Sequence, residues 1–367
     1  MFSEPTIAVD QIMSDGRSVS TSDIDWIEND LKKLSIWKRN PALCTHVVKN
    51  ILPSWKRDLA TQQLNNPWTK VRKRLVKEFN ESEPCISFIE NILERNEDSN
   101  NKFIIVDLCS GFGILSMLLS ELLPKDRVDK IWLIDKRFPM TIDTEAKSHQ
   151  ISMQHLKRQW PIQLKMRKVD LKASREIKQL HKYVFRGRVI FVGIHLCKSL
   201  SVHAIKLYQS YSDAVALVLK PCCLPGSRNL YAPVEGKTKP IVYQFENGYS
   251  FRPIDLYQDV DASVTDDANS ENNDYEGTME TNEDGCSDSR NPHHDKNFNN
   301  ERFSRWVNCL CRGCDSARCR ARVESIRVQK HHFQNLFIFS EIVQQNAATG
   351  ETVNQTPKLN QFASTII

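Results

Sequence analysis

Residues 104–116 read Ile-Ile-Val-Asp-Leu-Cys-Ser-Gly-Phe-Gly-Ile-Leu-Ser: an apolar run ends in an acid, a glycine-bearing turn follows, and an apolar helical pattern begins. The stretch predicts a strand, a tight loop and a helix. Its backbone is bared at Gly111 and Gly113, where the missing Cβ permits positive φ and close approach of a ligand. A second acid, Asp135, ends another apolar run. It follows the loop at about the 20-residue interval at which a nucleotide-binding α/β unit places its ribose-binding carboxylate. Together the two features point to a nucleoside-containing cofactor.

The chemistry of the loop narrows the choice. A dinucleotide fingerprint, G-x-G-x-x-G, cradles a pyrophosphate on backbone N–H groups. Here Ser116 stands in place of the third glycine, and Asp107 sits at the loop mouth. A carboxylate there repels a pyrophosphate and suits a cation. S-adenosylmethionine carries a sulfonium and an ammonium and no phosphate. The arrangement Asp107-x-Cys109-x-Gly111-x-Gly113 resembles the first motif of class I methyltransferases, D-x-G-x-G-x-G, with Cys109 in place of the first glycine. The resemblance implies that Asp107 holds the methionine ammonium, directly or through water. Cys109, Gly111 and Gly113 would line the approach, Asp135 would accept both ribose hydroxyls, and Asp170 would accept the adenine amino group. A strand-terminal Asp also reads as a helix cap, and the loop also reads as a plain strand–turn–helix.

Outward from this core, strands are predicted at 103–108, 131–135, 164–171, 189–196 and 214–220, with helices at 114–123, 144–159, 174–181 and 201–208. Such alternation implies a parallel sheet covered on both faces, with the ligand crevice at the carboxyl ends of its strands. A helix at 301–310 and two final strands at 322–329 and 333–342 predict a terminal antiparallel hairpin, with His331-His332 in its turn. The expected fold is therefore α/β, a Rossmann-like class I methyltransferase sheet. Residues 224–258 read as an extended excursion over the crevice mouth. Upstream, 23–96 is helical in pattern, with Ile24, Ile27, Leu31, Leu34 and Trp37 on one face. Pro41, Pro53, Pro67 and Pro84 punctuate it into several short helices. The expected organisation is a disordered 1–20, a helical region at 21–100, a methyltransferase domain at 101–345 and a tail at 346–367. Asn65-Asn66-Pro67-Trp68 has a faint likeness to the N-P-P-Y signature of amino-group methyltransferases, but it precedes the cofactor loop and reads as a turn.

Composition bounds the setting. No apolar run approaches the roughly 20 residues of a membrane span, and the N-terminus lacks a secretory pattern. Eleven cysteines fit a reducing compartment, so cytoplasm or nucleus is expected. The formal charge is +5, but twelve acids against one arginine between Asp259 and Asp295 leave the remainder at about +16. A body with that excess attracts polyanions, RNA above all. The acidic stretch, 259–300, reads as disordered and includes His293-His294. The aromatic and basic mixture at 55–77 suits RNA contact, and equally a solvated helix face.

A second cluster follows the fourth and fifth strands: Gly193-Ile-His-Leu-Cys197 and Leu219-Lys-Pro-Cys-Cys-Leu-Pro-Gly226. It is similar to the K-H-L-C-G and C-C-H segments of a family of tRNA 2′-O-methyltransferases acting on the acceptor stem. His195, Leu196, Cys197, Cys222 and Cys223 match; Ile194, Lys198 and Leu224 replace the family's lysine, glycine and histidine. The family's N-terminal zinc-finger cluster has no counterpart. The resemblance covers about residues 102–223 and implies methyl transfer to RNA, with tRNA the first expectation. A hydroxyl acceptor needs its proton removed or its developing charge stabilised. His195 is the candidate base, and Lys220 the candidate for lowering the hydroxyl's pKa. Cys222 and Cys223 are candidates too, one reading being nucleophilic attack on a cytosine as in RNA C5 methyltransferases. Buried thiols and a hydrogen-bonded histidine are the plainer readings. A protein or small-molecule acceptor, or a non-catalytic RNA-binding relict of the fold, stand as alternatives.

Finally, Cys309, Cys311, Cys314 and Cys319 place four thiols within eleven residues, among Arg302, Arg305, Arg312, Arg318, Arg320, Arg322 and Arg327. Zinc takes four tetrahedral soft ligands, and a C-x-C-x2-C-x4-C loop can supply them. The arginines would help to neutralise such a centre. An iron–sulfur cluster, redox-active thiols or simple packing fit the same spacing.

Overall fold

The computed structural model describes residues 22–60, 67–96, 101–226, 230–234, 237–257, 296–328 and 335–343. The expectations for 1–20, Asn65-Asn66, the acidic stretch as far as Asp295, the two histidine pairs and the tail from 346 lie outside the described residues. Two compact units divide after Asn80, ahead of the boundary expected near residue 100.

In the first unit, α1 (Ser22–Lys32), α2 (Ser35–Arg39), α3 (Pro41–His46), a π-helical turn (Val47–Ile51), α4 (Leu52–Leu59) and the start of α5 (Pro67–Arg95) follow one another. Ile27, Leu31, Ile36, Val47 and Trp55 are buried. The expected apolar face holds at Ile27 and Leu31, then moves to Ile36 rather than Trp37, because α1 ends at Lys32 and α2 restarts the helical phase. Pro41, Pro53 and Pro67 open helices, where a missing N–H leaves nothing unsatisfied. Pro84 was expected to break the helix, and α5 instead runs through it. Proline there removes the bond to the carbonyl four residues earlier; that carbonyl, of Asn80, accepts a hydrogen bond from the Arg39 guanidinium at 3.4 Å.

The second unit is built on a seven-stranded sheet. Its parallel part comprises β1 (Phe103–Leu108), β2 (Val128–Asp135), β3 (Gln163–Lys168), β4 (Val189–Ile194) and β5 (Ala214–Lys220), connected in part by α6 (Ile114–Leu122), α7 (Ser174–Tyr183) and α8 (Ser199–Ser210). Two small hairpins follow: β6 (Tyr231–Val234) with β7 (Lys237–Pro240), and β8 (Tyr243–Gln244) with β9 (Ser250–Phe251). They occupy the expected extended excursion. Helix α9 (Lys296–Cys314) begins inside the stretch expected to be disordered up to residue 300, and β10 (Cys319–Ser325) and β11 (Leu336–Ile342) complete the sheet. The strand order is β10-β11-β5-β4-β1-β2-β3. Strand β11 pairs antiparallel with both β5 and β10. This is the Rossmann-like class I methyltransferase arrangement, with the expected antiparallel hairpin.

Every residue of β1 is buried, as a strand flanked by strands and covered on both faces requires. The chain leaves β3 at one edge and returns through α7 to place β4 beside β1. That reversal opens a crevice at the carboxyl ends of β1 and β4, where α/β sheets bind ligands. One expected element is missing. Residues 144–159 form no α-helix, only a single 3₁₀ turn at Gln154–Lys157. Short polar side chains there bond locally instead: Thr141 Oγ1 to Thr144 Oγ1 at 2.8 Å, and the Lys147 N–H to Gln150 Oε1 at 3.1 Å. Such bonds compete with a helical ladder. Phe138, Met153 and His155 pin the segment by burial, with the His155 ring stacked on Phe112 at 4.1 Å.

Candidate active site

The glycine loop leaves β1 through Cys109 (φ +55°), Gly111 (φ +57°) and Gly113 (φ +87°). The two glycines differ in function. A Cβ at Gly111 would meet nothing within 4 Å, whereas one at Gly113 would lie 2.4 Å from Leu133 Cδ2. Gly111 therefore bares the backbone to the crevice. Gly113 lets the start of α6 sit against β2.

The three predicted acids converge on this loop. Asp135 accepts hydrogen bonds from the Gly111 N–H at 3.2 Å and the Arg137 N–H at 2.8 Å. Asp107 is buried and accepts from the Ser116 hydroxyl at 2.7 Å, so the serine in place of the third glycine ties α6 to β1. Asp170 accepts from the Lys172 N–H at 3.0 Å, bracing the turn before α7, whose N-cap is Ala173. Burial first, then the charges of Asp135, Asp107 and Asp170, push the Cys109 thiol up to about 12. Three carboxylates around one loop favour a cation and hydroxyl donors, and disfavour a pyrophosphate.

Across the crevice, the ends of β4 and β5 carry the second group. His195 follows β4 in a left-handed conformation (φ +63°), its N–H bonded to the Lys220 carbonyl at 3.0 Å. A histidine at positive φ is uncommon, and such positions cluster at functional sites. Its Nε2 lies 2.5 Å from Glu81 Oε2, and Lys220 Nζ lies 3.6 Å from Glu81 Oε1. Glu81 and Lys220 are fully buried, while the His195 side chain is 35% exposed. A buried carboxylate thus joins a buried ammonium to an accessible imidazole. Sequence reading missed Glu81, which sits 114 residues before His195. A signal was present: Glu81 heads the stripe Glu81, Cys85, Phe88, Ile92 at helical spacing, all buried. A carboxylate on an apolar stripe rarely goes unpartnered.

Cys222 and Cys223 follow β5 directly, and their sulfurs approach that of Cys197, at 2.6 Å for Cys222 and 3.4 Å for Cys223. The hydrogen bonds to Cys197 and Cys223, with burial, push the Cys222 thiol upward. A nucleophilic cysteine needs the opposite shift, which counts against the cytosine-attack reading.

The C-terminal cysteines do not assemble as a four-thiol loop. Helix α9 extends to Cys314, so Cys309 and Cys311 point about 200° apart around its axis. Cys309 bonds Tyr249, and Cys319, on β10, accepts from the Tyr208 hydroxyl at 3.2 Å. Among the described residues, the group of three or more metal-ligating side chains with donor atoms within 4.8 Å of one another is Cys197, Cys222 and Cys223. Several of the nearby arginines serve the fold itself. Arg318 donates to the carbonyls of Tyr211, Ser212 and Ala214, Arg312 lies over Tyr249, and Arg322 lies over Phe88 and Phe339.

No helix among the described residues is long and apolar enough to cross a membrane. Curated proteins include no match to the chain. Residues 77–226 match the model of a methyltransferase domain family. The match begins one turn before Glu81 and ends just past Cys223, so it spans both halves of the crevice. With the strand order and the carboxylate-ringed glycine loop, it makes this an S-adenosylmethionine-dependent methyltransferase domain.

Proposed function

We propose that the protein methylates RNA, tRNA before other RNAs, and that Glu81, His195 and Lys220 handle the acceptor's proton. The observation that carries the reading is the buried Glu81, shared between His195 and Lys220 beside the cofactor loop.

The residues fit the cofactor the family implies. S-adenosylmethionine supplies an electrophilic methyl group on a sulfonium. Asp135 would accept its ribose hydroxyls, Asp170 its adenine amino group, and Asp107 its ammonium, directly or through water. The open face of Gly111 admits it, and the acids around Cys109 complement its positive charge. In-line transfer needs an acceptor held and aligned, which supplies much of the rate.

The acceptor's proton is the task of the second group. Opposite the Lys220 ammonium, Glu81 is assigned as ionised, which makes Nε2 the protonated nitrogen of His195 and leaves Nδ1 as the acceptor. His195 Nδ1 then takes the proton of an acceptor hydroxyl. Glu81 fixes the tautomer and stabilises the imidazolium that forms, as a carboxylate orients a histidine base in hydrolases. Lys220 holds Glu81 ionised through the cycle. A buried ion pair is at best neutral for stability against apolar replacement, so its position at the crevice argues for chemistry over a relict fold.

The RNA acceptor rests on two further supports. The chain outside Asp259–Asp295 carries about +16, and the His195-Leu196-Cys197 and Cys222-Cys223 segments resemble those of tRNA 2′-O-methyltransferases. The test is incubation of the full chain with radiolabelled S-adenosylmethionine and total RNA, with a nuclease-treated control. Nuclease-sensitive label, lost in His195→Ala, supports the reading. Label on polypeptide, or bound cofactor with no transfer to any RNA pool, rejects it.

A further inference from the structure

Strands β4 and β5 are parallel neighbours in a register that sets Ile194 opposite Lys220. Residues a few positions beyond each strand therefore emerge at the same height, and both exits carry cysteine. Cys197 lies in the turn after β4, between His195 (φ +63°) and Lys198 (φ +56°). Two non-glycine residues at positive φ around one cysteine are costly, and they swing Cys197 back over the end of β5. The turn is fixed from behind: the Leu196 carbonyl accepts from Ser201 Oγ at 2.6 Å, and the Cys197 carbonyl from the Leu200 N–H at 3.1 Å. Pro221 then directs Cys222 and Cys223 towards it.

We propose that Cys197, Cys222 and Cys223 form a three-thiolate site for a thiophilic d¹⁰ cation, zinc foremost. Their three sulfurs lie 2.6, 3.4 and 3.5 Å from one another. Tetrahedral zinc at about 2.3 Å from each sulfur sets them about 3.8 Å apart. Two separations are already close to that distance, and the third opens on loading. Soft sulfur ligands select zinc or copper(I) over magnesium, calcium or manganese. Three protein ligands leave a fourth position for water. The ion would tie the β4 and β5 exits together, which hold His195 and Lys220 in place, so it would serve the catalytic end of the sheet. This differs from the four-cysteine site that spacing suggested at 309–319, which helix α9 pulls apart.

The experiment loads the full-length, reduced protein with Co²⁺ and reads the sulfur-to-cobalt charge-transfer absorption, alongside elemental analysis of zinc in the protein as purified. The expected result is one equivalent of metal and a thiolate band. Cys197→Ser, Cys222→Ser and Cys223→Ser should each abolish or sharply weaken it, while Cys311→Ser leaves it intact. Binding of S-adenosylhomocysteine, measured on every variant, separates loss of metal from loss of fold and from failure of the methyltransferase reading. Absence of metal and band in the reduced wild type overturns the proposal. So does loss of the band in Cys311→Ser with retention in Cys222→Ser, or a Cys197–Cys222 disulfide found by mass spectrometry in protein that takes up no cobalt after reduction.

Discussion

At Glu81 a single carboxylate meets the His195 imidazole and the Lys220 amino group from a position with no access to water, and the consequences of changing it separate chemistry from stability. Glu81→Gln keeps the shape and removes the charge. Methyl transfer in single turnover should fall by about 10²- to 10⁴-fold, the range of a mispositioned general base, with cofactor affinity unchanged by calorimetry. Lys220→Met leaves the buried Glu81 carboxylate without its cationic neighbour and should cost about 3–5 kcal/mol in urea unfolding. The double variant Glu81→Gln/Lys220→Met should recover much of that stability and none of the activity; a double variant no more stable than the single would refute the pairing. The two loop glycines allow a similar separation. Gly113→Ala forces a methyl group against Leu133 in a left-handed backbone and should destabilise by about 1–3 kcal/mol. Gly111→Ala meets open space, so beyond its backbone strain it should act on cofactor affinity. Equal unfolding midpoints for the two variants would contradict this assignment.

Helix α5 carries a titration of its own. Burial, with Glu94 and Glu83 nearby, raises Glu90 from its ordinary 4.5 to about 7. Between those values the folded chain holds a proton that the unfolded chain has released. The contribution is therefore present below about 4.5 and lost as pH rises through 7. Glu90→Gln should stabilise the protein above neutrality by at most about 3 kcal/mol, less after solvent screening at a half-buried site, and by little near pH 4. A uniform shift across pH would refute the effect. The same helix shows where sequence reading stops. The β1–loop–α6 unit was legible because local patterning sets its burial, turn chemistry and glycines together. Pro84 was misread because its cost is relieved by Arg39, a partner invisible to local patterning. The helix expected at 144–159 yielded to local polar bonds, and the cysteine spacing at 309–319 looked like a loop because the reach of α9 to Cys314 was underestimated. His195 and Lys220 could be read from strand ends, whereas Glu81 shows in the sequence only as an acid on the apolar stripe of Cys85, Phe88 and Ile92, which does not say what it meets 114 residues later.

For the whole molecule, charge is divided between a basic body and the acidic stretch at 259–295. RNA binding should weaken steeply with salt, as counterion release demands. Deleting 259–295 should tighten it at low salt, because that stretch carries a net charge of −11 that opposes the phosphates. Filter binding over a salt series checks both, and a slope near zero would remove the electrostatic case for RNA. In the proposed reaction the cofactor would be addressed by strand ends within one compact stretch of chain, while the carboxylate that would orient the base arrives from a helix laid down before the sheet begins. On the proposed roles, handling the acceptor's proton thus draws on two pieces of sequence, the strand ends that carry His195 and Lys220 and the helix that carries Glu81. Exchanging the leading helix can retire or retune the reaction while the donor site passes on unaltered.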